Sequence, residues 1–352
     1  MKKGFTVLIA IFSIFYNHTF AQIGGDETYS FLNLTTSARI AGMGGDFLTI
    51  KDDDINLAPS NPSLITPGMS DKLGVAYVDF FSDVNYGTAT YSKTFSSIGS
   101  FIASMKYVSY GKFDYADETG VRSGQFYSGE SALTIGWGRQ LDSLFSIGAN
   151  LKLIYSSLES YNSFGMGVDV AGSYNSPNRL FTASLVARDI GRQITTYSGE
   201  NVESFPFELQ AGISNRLKHL PFRYSILYNH IEKWDLNYDD PNDNTTDPIT
   251  GEVITKSGIE DFADNFMRHI VIGAELYIGK NISLRAGYNY KRRQELKVSS
   301  KTAMVGFSWG LAFRVSKFYF SYARSTYHLA GSPNYITVTT KLSDFRRKSK
   351  KQ

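Results

Sequence analysis

The 352-residue chain contains no cysteine. That absence excludes a disulfide framework, cysteine-ligated zinc and a lipid anchor attached through an N-terminal thiol. The chain also lacks the run of roughly twenty apolar residues that a helix needs to cross a bilayer. The nearest approach is Gly4 to Tyr16, at about thirteen residues. No HExxH or GxSxG spacing occurs, and the five histidines (His18, His219, His230, His269 and His328) fall in unrelated segments. No catalytic residue, cofactor site or metal site is therefore assigned, and the protein is read as a non-enzyme. Net charge is only +3, and its densest basic stretch is the tail Arg346, Arg347, Lys348, Lys350 and Lys351. Such a tail is a solvated end and does not imply nucleic acid.

What the chain does have is 14% aromatic residues, with 23 Tyr and 25 Phe, and 31 Gly. Mean hydropathy is −0.21. This mixture suits a β-barrel whose outer face meets lipid while its lumen stays polar. The first residues read as an export signal: Lys2 and Lys3, then an apolar segment holding Val7, Leu8, Ile9, Ile11 and Phe12, then Thr19-Phe20-Ala21. Cleavage is expected after Ala21, leaving Gln22 as the mature end.

From about residue 71, apolar and small or polar residues alternate over long runs. Phe145, Ile147, Ala149, Leu151, Leu153 and Tyr155 alternate with Ser146, Gly148, Asn150 and Lys152. Ile282, Leu284, Ala286, Tyr288 and Tyr290 alternate with Ser283, Arg285, Gly287 and Asn289. Period two marks strands with different media on their two faces. The runs are nine or more residues long, whereas sandwich strands average about five or six. About fourteen strands are predicted, near 71–80, 86–95, 98–110, 128–139, 143–157, 163–175, 180–190, 205–215, 222–235, 267–279, 281–292, 300–313, 317–325 and 335–343. Gaps alternate between short turns and long loops, the asymmetry of outer-membrane barrels, and an even count puts both chain ends on the periplasmic side. The expected fold is an all-β transmembrane protein: an antiparallel outer-membrane β-barrel of about fourteen strands with a small N-terminal hatch in its lumen. The expected segments are a signal peptide (1–21), the hatch (22–70), the barrel (71–345) and a basic tail (346–352).

The hatch expectation rests on residues 22–70, which lack long alternation yet carry Phe31, Leu32, Leu34, Ile40, Met43, Phe47, Leu48 and Ile50. That apolar content argues for packing rather than disorder. The candidate hatch residues are Arg39, Gly42, Gly44, Gly45, Asn61 and Pro62. Gly42-Met43-Gly44-Gly45 lacks the Lys-Ser/Thr of a phosphate loop and reads as a tight turn. The loop from Asn237 to Asn265 is strongly acidic. Within it Asp240, Asn242 and Asn244 have the spacing of a calcium loop, but Thr245 replaces the required Gly and Gly251 the closing Glu. Its better reading is a docking surface, with Trp234, Tyr238, Asp239, Asp240, Asp243 and Asp247 as candidates. Asp114, Asp117 and Glu118 form a second acidic tip that could join it. Trp234, Tyr238 and Tyr110 are equally suited to an interfacial girdle.

The stretch Ser37 to Gly45, followed by Asn61-Pro62-Ser63-Leu64-Ile65-Thr66, resembles the N-terminal hatch of the FadL family. Those proteins are fourteen-stranded barrels that move hydrophobic molecules across the outer membrane. A closer resemblance is to the PorQ family, FadL-like barrels of the type IX secretion system. It is carried by Gln22-Ile23-Gly24-Gly25, Phe31-Leu32-Asn33-Leu34 with Ser37-Ala38-Arg39, Tyr107 to Gly120, and Pro206-Phe207-Glu208 through Arg223. This resemblance implies an attachment-complex component. It would tether the surface protein PorZ through external loops, beside PorU and PorV, so that cargo is processed and joined to lipopolysaccharide. The chain departs from many such barrels in placing Arg346 to Gln352 after its last aromatic, Phe345.

Overall fold

A computed structural model describes residues 27–199, 202–237, 258–296, 304–327 and 331–345. The expected signal, the basic tail, and Tyr238, Asp239, Asp240, Asp243 and Asp247 lie outside these residues. The strands are β1 (Lys72–Asp79), β2 (Asn85–Phe95), β3 (Gly99–Ala116), β4 (Arg122–Gln140), β5 (Phe145–Leu158), β6 (Tyr161–Asn175) and β7 (Phe181–Thr195). They continue as β8 (Glu208–Arg216), β9 (Phe222–Tyr228), β10 (Ile270–Ile278), β11 (Ile282–Asn289), β12 (Phe307–Val315), β13 (Phe318–Ser325) and β14 (Asn334–Lys341). Each pairs antiparallel with its sequence neighbour, and β1 pairs with β14 to close the ring.

The alternation sets which face each residue occupies. On β5, Ser146, Asn150, Lys152 and Ser156 are buried, while Phe145, Ile147, Leu151 and Tyr155 are exposed. Polar residues inside and large apolar residues outside are stable only where the outer medium is itself apolar. Phe145 and Tyr155 lie in opposite aromatic girdles, one toward the short turns with Phe101, Trp137 and Phe313, the other toward the long loops with Tyr107, Tyr228 and Tyr288. Ten residues at about 3.3 Å each, on a strand tilted about 40°, separate the girdles by about 25 Å, the height of a hydrocarbon belt.

Five expectations are corrected. The expected loop from Gly111 to Tyr127 is strand: β3 and β4 run on as a two-stranded ribbon, pairing Lys112 with Tyr127 and Phe113 with Phe126. Lateral pairing stops at Ser109 on the β2 side and Ser128 on the β5 side, so the ribbon stands clear of the barrel by about 20 Å. β9 stops at Tyr228 rather than near 235. The acidic loop contains helix α2 (Gly258–Arg268), the second after the hatch helix α1 (Ala38–Gly42). The expected end of β11 coils into α3 (Tyr290–Leu296), and β12 starts at Phe307 rather than near 300.

The chain enters the described barrel at the long-loop end, where Glu27 bridges Ser204 in the β7–β8 connection. It leaves at the short-turn end, where a single turn (Leu342–Phe345) follows β14. Both termini themselves lie outside the described residues, but Glu27 is not on the same side as Phe345.

Candidate functional site

The lumen is filled by residues 27–71. Ser37 caps α1 with its side chain, and Met43 to Gly45 turn the chain back, with Gly44 at φ +81°. The Gly42–Gly45 stretch is thus a tight turn. Its apolar residues Ile40, Met43, Phe47, Leu48, Ile50, Leu57 and Leu64 pack into one cluster. Pro62 opens a short 3-10 turn, and Asn61 braces it, Nδ2 donating to the Leu48 carbonyl (3.3 Å) and Oδ1 accepting from Ser63 (2.6 Å).

Wall glycines seat this hatch. Gly273 and Gly287 are cross-strand partners on β10 and β11, and a Cβ on Gly287 would lie 2.1 Å from the Met43 carbonyl carbon. Gly138 and Gly148 are partners on β4 and β5, and a Cβ on Gly148 would lie 2.2 Å from the Pro62 oxygen. Real atoms cannot approach so closely, so the hatch backbone occupies the space that side chains fill elsewhere. In a ring of fourteen strands these two seats face each other across the lumen.

Charge holds the hatch in place. Arg39, with its side chain 7% exposed, donates to Asp52 (2.7 and 2.9 Å), to Asp54 (3.2 Å) and to Glu275 on β10 (2.7 Å). Glu275, 1% exposed, also pairs with Arg285 (2.9 Å), and Arg223 reaches Asp52 (3.1 Å). Three guanidinium groups thus face three carboxylates, which makes burial of each tolerable. Further bonds reach other strands. The Ala38 N–H donates to Thr337 (3.0 Å), Asn56 to Thr339 (2.8 Å), and Lys72 to the Asp53 carbonyl (2.6 Å). Lys106 donates to the Leu32 and Leu34 carbonyls, both at 2.9 Å.

A second buried group lines the wall. Lys152 on β5 pairs with Asp169 (2.9 Å) and Asp189 (2.6 Å). Arg188 and Asp189 are consecutive yet both buried, because a bulge opposite Val168–Val170, with Asp189 at φ +56°, breaks the alternation.

The cavities follow from this filling. One of about 50 Å³ lies beside Leu34, Lys106 and Arg188. A basin of about 450 Å³ opens at the short-turn end, lined by Arg39, Asp52, Lys72, Glu275 and Lys341. A smaller one of about 180 Å³ lies at the long-loop end beside Asp46, His230 and Arg292. Among the described residues no group of three His, Asp or Glu side chains is arranged to hold a metal ion.

The docking candidates separate. Asp114 pairs with Arg122 (2.8 Å), and Asp117 accepts from the Thr119 side chain and the Val121 N–H at the ribbon tip. The Thr119 hydroxyl, with these backbone N–H groups, holds the Asp117 carboxyl below its usual range. Glu118 is exposed beside it. Trp234 lies next to Phe262, by β9 and β10. The ribbon of β3 and β4 is six strands away, so Trp234 and the acidic tip do not form one surface.

No protein-family model and no curated protein matches the chain. Among solved structures, the Pseudomonas putida toluene transporter TodX is similar, with TM-score 0.51 and 14% identity, covering 87% of this chain and 97% of that one. A deltaS2 mutant of the TodX monoaromatic hydrocarbon channel gives 0.50 and 13%, covering 86% and 96%. A Pseudomonas aeruginosa FadL homologue gives 0.45 and 10%, covering 87% and 98%. The fold is therefore that of the TodX-type outer-membrane channels, a closed antiparallel barrel of fourteen strands.

Proposed function

We propose that the protein is an outer-membrane channel whose hatch moves to let a small hydrophobic solute pass. The observation that carries this reading is the likeness to the TodX toluene transporter over 87% of the chain. The geometry adds a condition. The basin of about 450 Å³ at the short-turn end and the one of about 180 Å³ at the long-loop end are separated by the hatch, and the cavity between hatch and wall beside Lys106 and Arg188 measures about 50 Å³, well below the roughly 300–1,000 Å³ of a ligand pocket. Passage therefore requires the hatch to leave its seats. In this reading residues 1–21 direct export and the short turns face the periplasm. The test is uptake of labelled toluene or a labelled fatty acid into proteoliposomes. Saturable uptake supports transport; uptake no faster than into empty vesicles refutes it.

The ribbon favours a second reading. It projects Phe113, Tyr115 and Tyr127 into the surroundings, with Phe113 stacked on Phe126 at 5.2 Å. Free strand edges and exposed aromatics suit capture of a protein. By the sequence resemblance that partner would be PorZ, with PorU and PorV in the same complex and lipopolysaccharide as the anchor for cargo. Asp114, Asp117 and Glu118 would then be contacts. A gentle pull-down from native outer membranes, with and without residues 112–125, tests it. Retention of the same partners after deletion would remove the ribbon from consideration.

A further inference from the structure

Helix α2 is built inside out. Three of its polar residues, Asp261, Asp264 and Asn265, bond to the rest of the protein. Asn265 is buried and accepts from the Leu236 N–H (3.0 Å). Asp264 pairs with Arg268 (3.0 Å) and accepts from the Tyr290 hydroxyl (2.6 Å), while Asp261 accepts from Asn237 (3.2 Å). Its apolar residues turn away: Ile259 is 83% exposed, Phe262 59% and Phe266 41%. Their spacing of three and four residues places all three on one face. Trp234, 48% exposed, packs on Phe262 with ring centroids 5.2 Å apart.

That face is continuous with the outer wall of the barrel. On β9, Phe222, Tyr224, Ile226 and Tyr228 point outward while Arg223, Ser225 and Leu227 point in. Tyr228 pairs with Ile270 at the start of β10, and its ring contacts Phe266 at 5.9 Å. The apolar belt therefore climbs from Ile226 and Ile272 through Tyr228 to Phe266, Phe262 and Trp234. A helix can meet lipid because its backbone groups are satisfied internally.

We propose that α2 lies along the outer-leaflet interface, with Ile259, Phe262 and Phe266 toward the acyl chains and Trp234 at the boundary. The occupant is membrane lipid, because the surface that α2 extends is the one that faces lipid. The proposal rests on the barrel being embedded in a bilayer and is independent of what passes through the lumen.

The chain has 3 tryptophans, so each can be isolated. W137F/W309F leaves Trp234, and W137F/W234F leaves Trp309 on the outer face of β12. Each variant is reconstituted into phosphatidylcholine vesicles, with lipid brominated near the headgroup end of its chains or near their terminus, and emission is read with and without iodide. Both tryptophans should lose most of their emission to brominated lipid, Trp234 chiefly to the shallow bromines, and neither should respond to iodide. Adding I259D/F262D should expose Trp234 to iodide, with SDS–PAGE heat-modifiability confirming that the barrel remains folded. If Trp309 is quenched by brominated lipid while Trp234 responds only to iodide, α2 faces water and the proposal fails. If Trp234 responds to neither, protein covers it and the proposal also fails. If even Trp309 escapes the bromines, the bilayer placement of the barrel is wrong.

Discussion

Replacing Arg39 with alanine tests whether charge latches the hatch. Arg39 touches three carboxylates, and the most buried, Glu275, belongs to the wall. In the wild type, Arg39, Arg223 and Arg285 balance Asp52, Asp54 and Glu275. Without Arg39, three carboxylates share two cations. Removing one partner of a buried pair costs about 3–5 kcal/mol, largely because the remaining charge stays buried. Asp52 is 29% exposed, so water screens part of its loss, and the Glu275 contact dominates. The barrel ladder is untouched, so the cost falls on the seated hatch. At 1.4 kcal/mol per tenfold change, the seated-to-released ratio falls by about two to four orders of magnitude. Planar-bilayer recordings should show frequent openings where the wild type stays closed, and hatch residues should become protease-sensitive. Arg39→Lys should be intermediate, because an ammonium group lacks the planar fork that engages several carboxylates at once. If Arg39→Ala matches the wild type in both conductance and protease protection, the cluster is not the latch.

Three further outcomes are expected. Gly287→Val or Gly148→Val would place a Cβ within about 2.2 Å of hatch backbone and should unseat the hatch, costing at least the 1–3 kcal/mol typical of overpacking, while heat-modifiability reports an intact barrel. Gly172→Val, on the outer face of β6 where nothing lies within 4 Å, controls for adding the same side chain to the wall away from the hatch and should change neither conductance nor hatch protection. Asp117 has a depressed folded pKa, so its contribution to the ribbon tip is present above the ordinary aspartate value of 3.8 and is lost as pH falls through the lower folded value. Protection factors at Thr119 and Val121, taken against the intrinsic exchange rate at each pH, should fall over that acid range in the wild type and be independent of pH in Asp117→Asn.

The strands were readable because lipid and lumen impose opposite demands on alternate residues. That contrast placed β5 and β6 within about two residues. It disappears where both faces meet the same medium, which is why the ribbon beyond Ser109 reads as a loop in the sequence: Lys112 and Asp114 alternate with Gly111, Phe113 and Tyr115 without separating into two media. The acidic count of the loop before β10 masked a legible helical signal, Ile259, Phe262 and Phe266 at spacings of three and four. The wall glycines were visible, but as part of a polar lumen. Their role as seats depends on register, Gly273 beside Gly287 and Gly138 beside Gly148, and on a hatch more than a hundred residues distant from Gly273. Arg39 stands out by its place in the hatch stretch, whereas nothing local marks Glu275, its partner on β10, or Arg285, which pairs with Glu275.

The bonds from the hatch to Thr337, Thr339 and Lys72 fall on the two strands that begin and end the barrel. Along the ring, β14 and β1 meet at the only junction without a connecting turn. Every other neighbouring pair is tied by covalent chain, while this seam relies on its ladder and on whatever clasps it from within. The hatch is that clasp. A barrel that loses it should part first at the seam, and a chain still assembling should close there last, around a plug already in position.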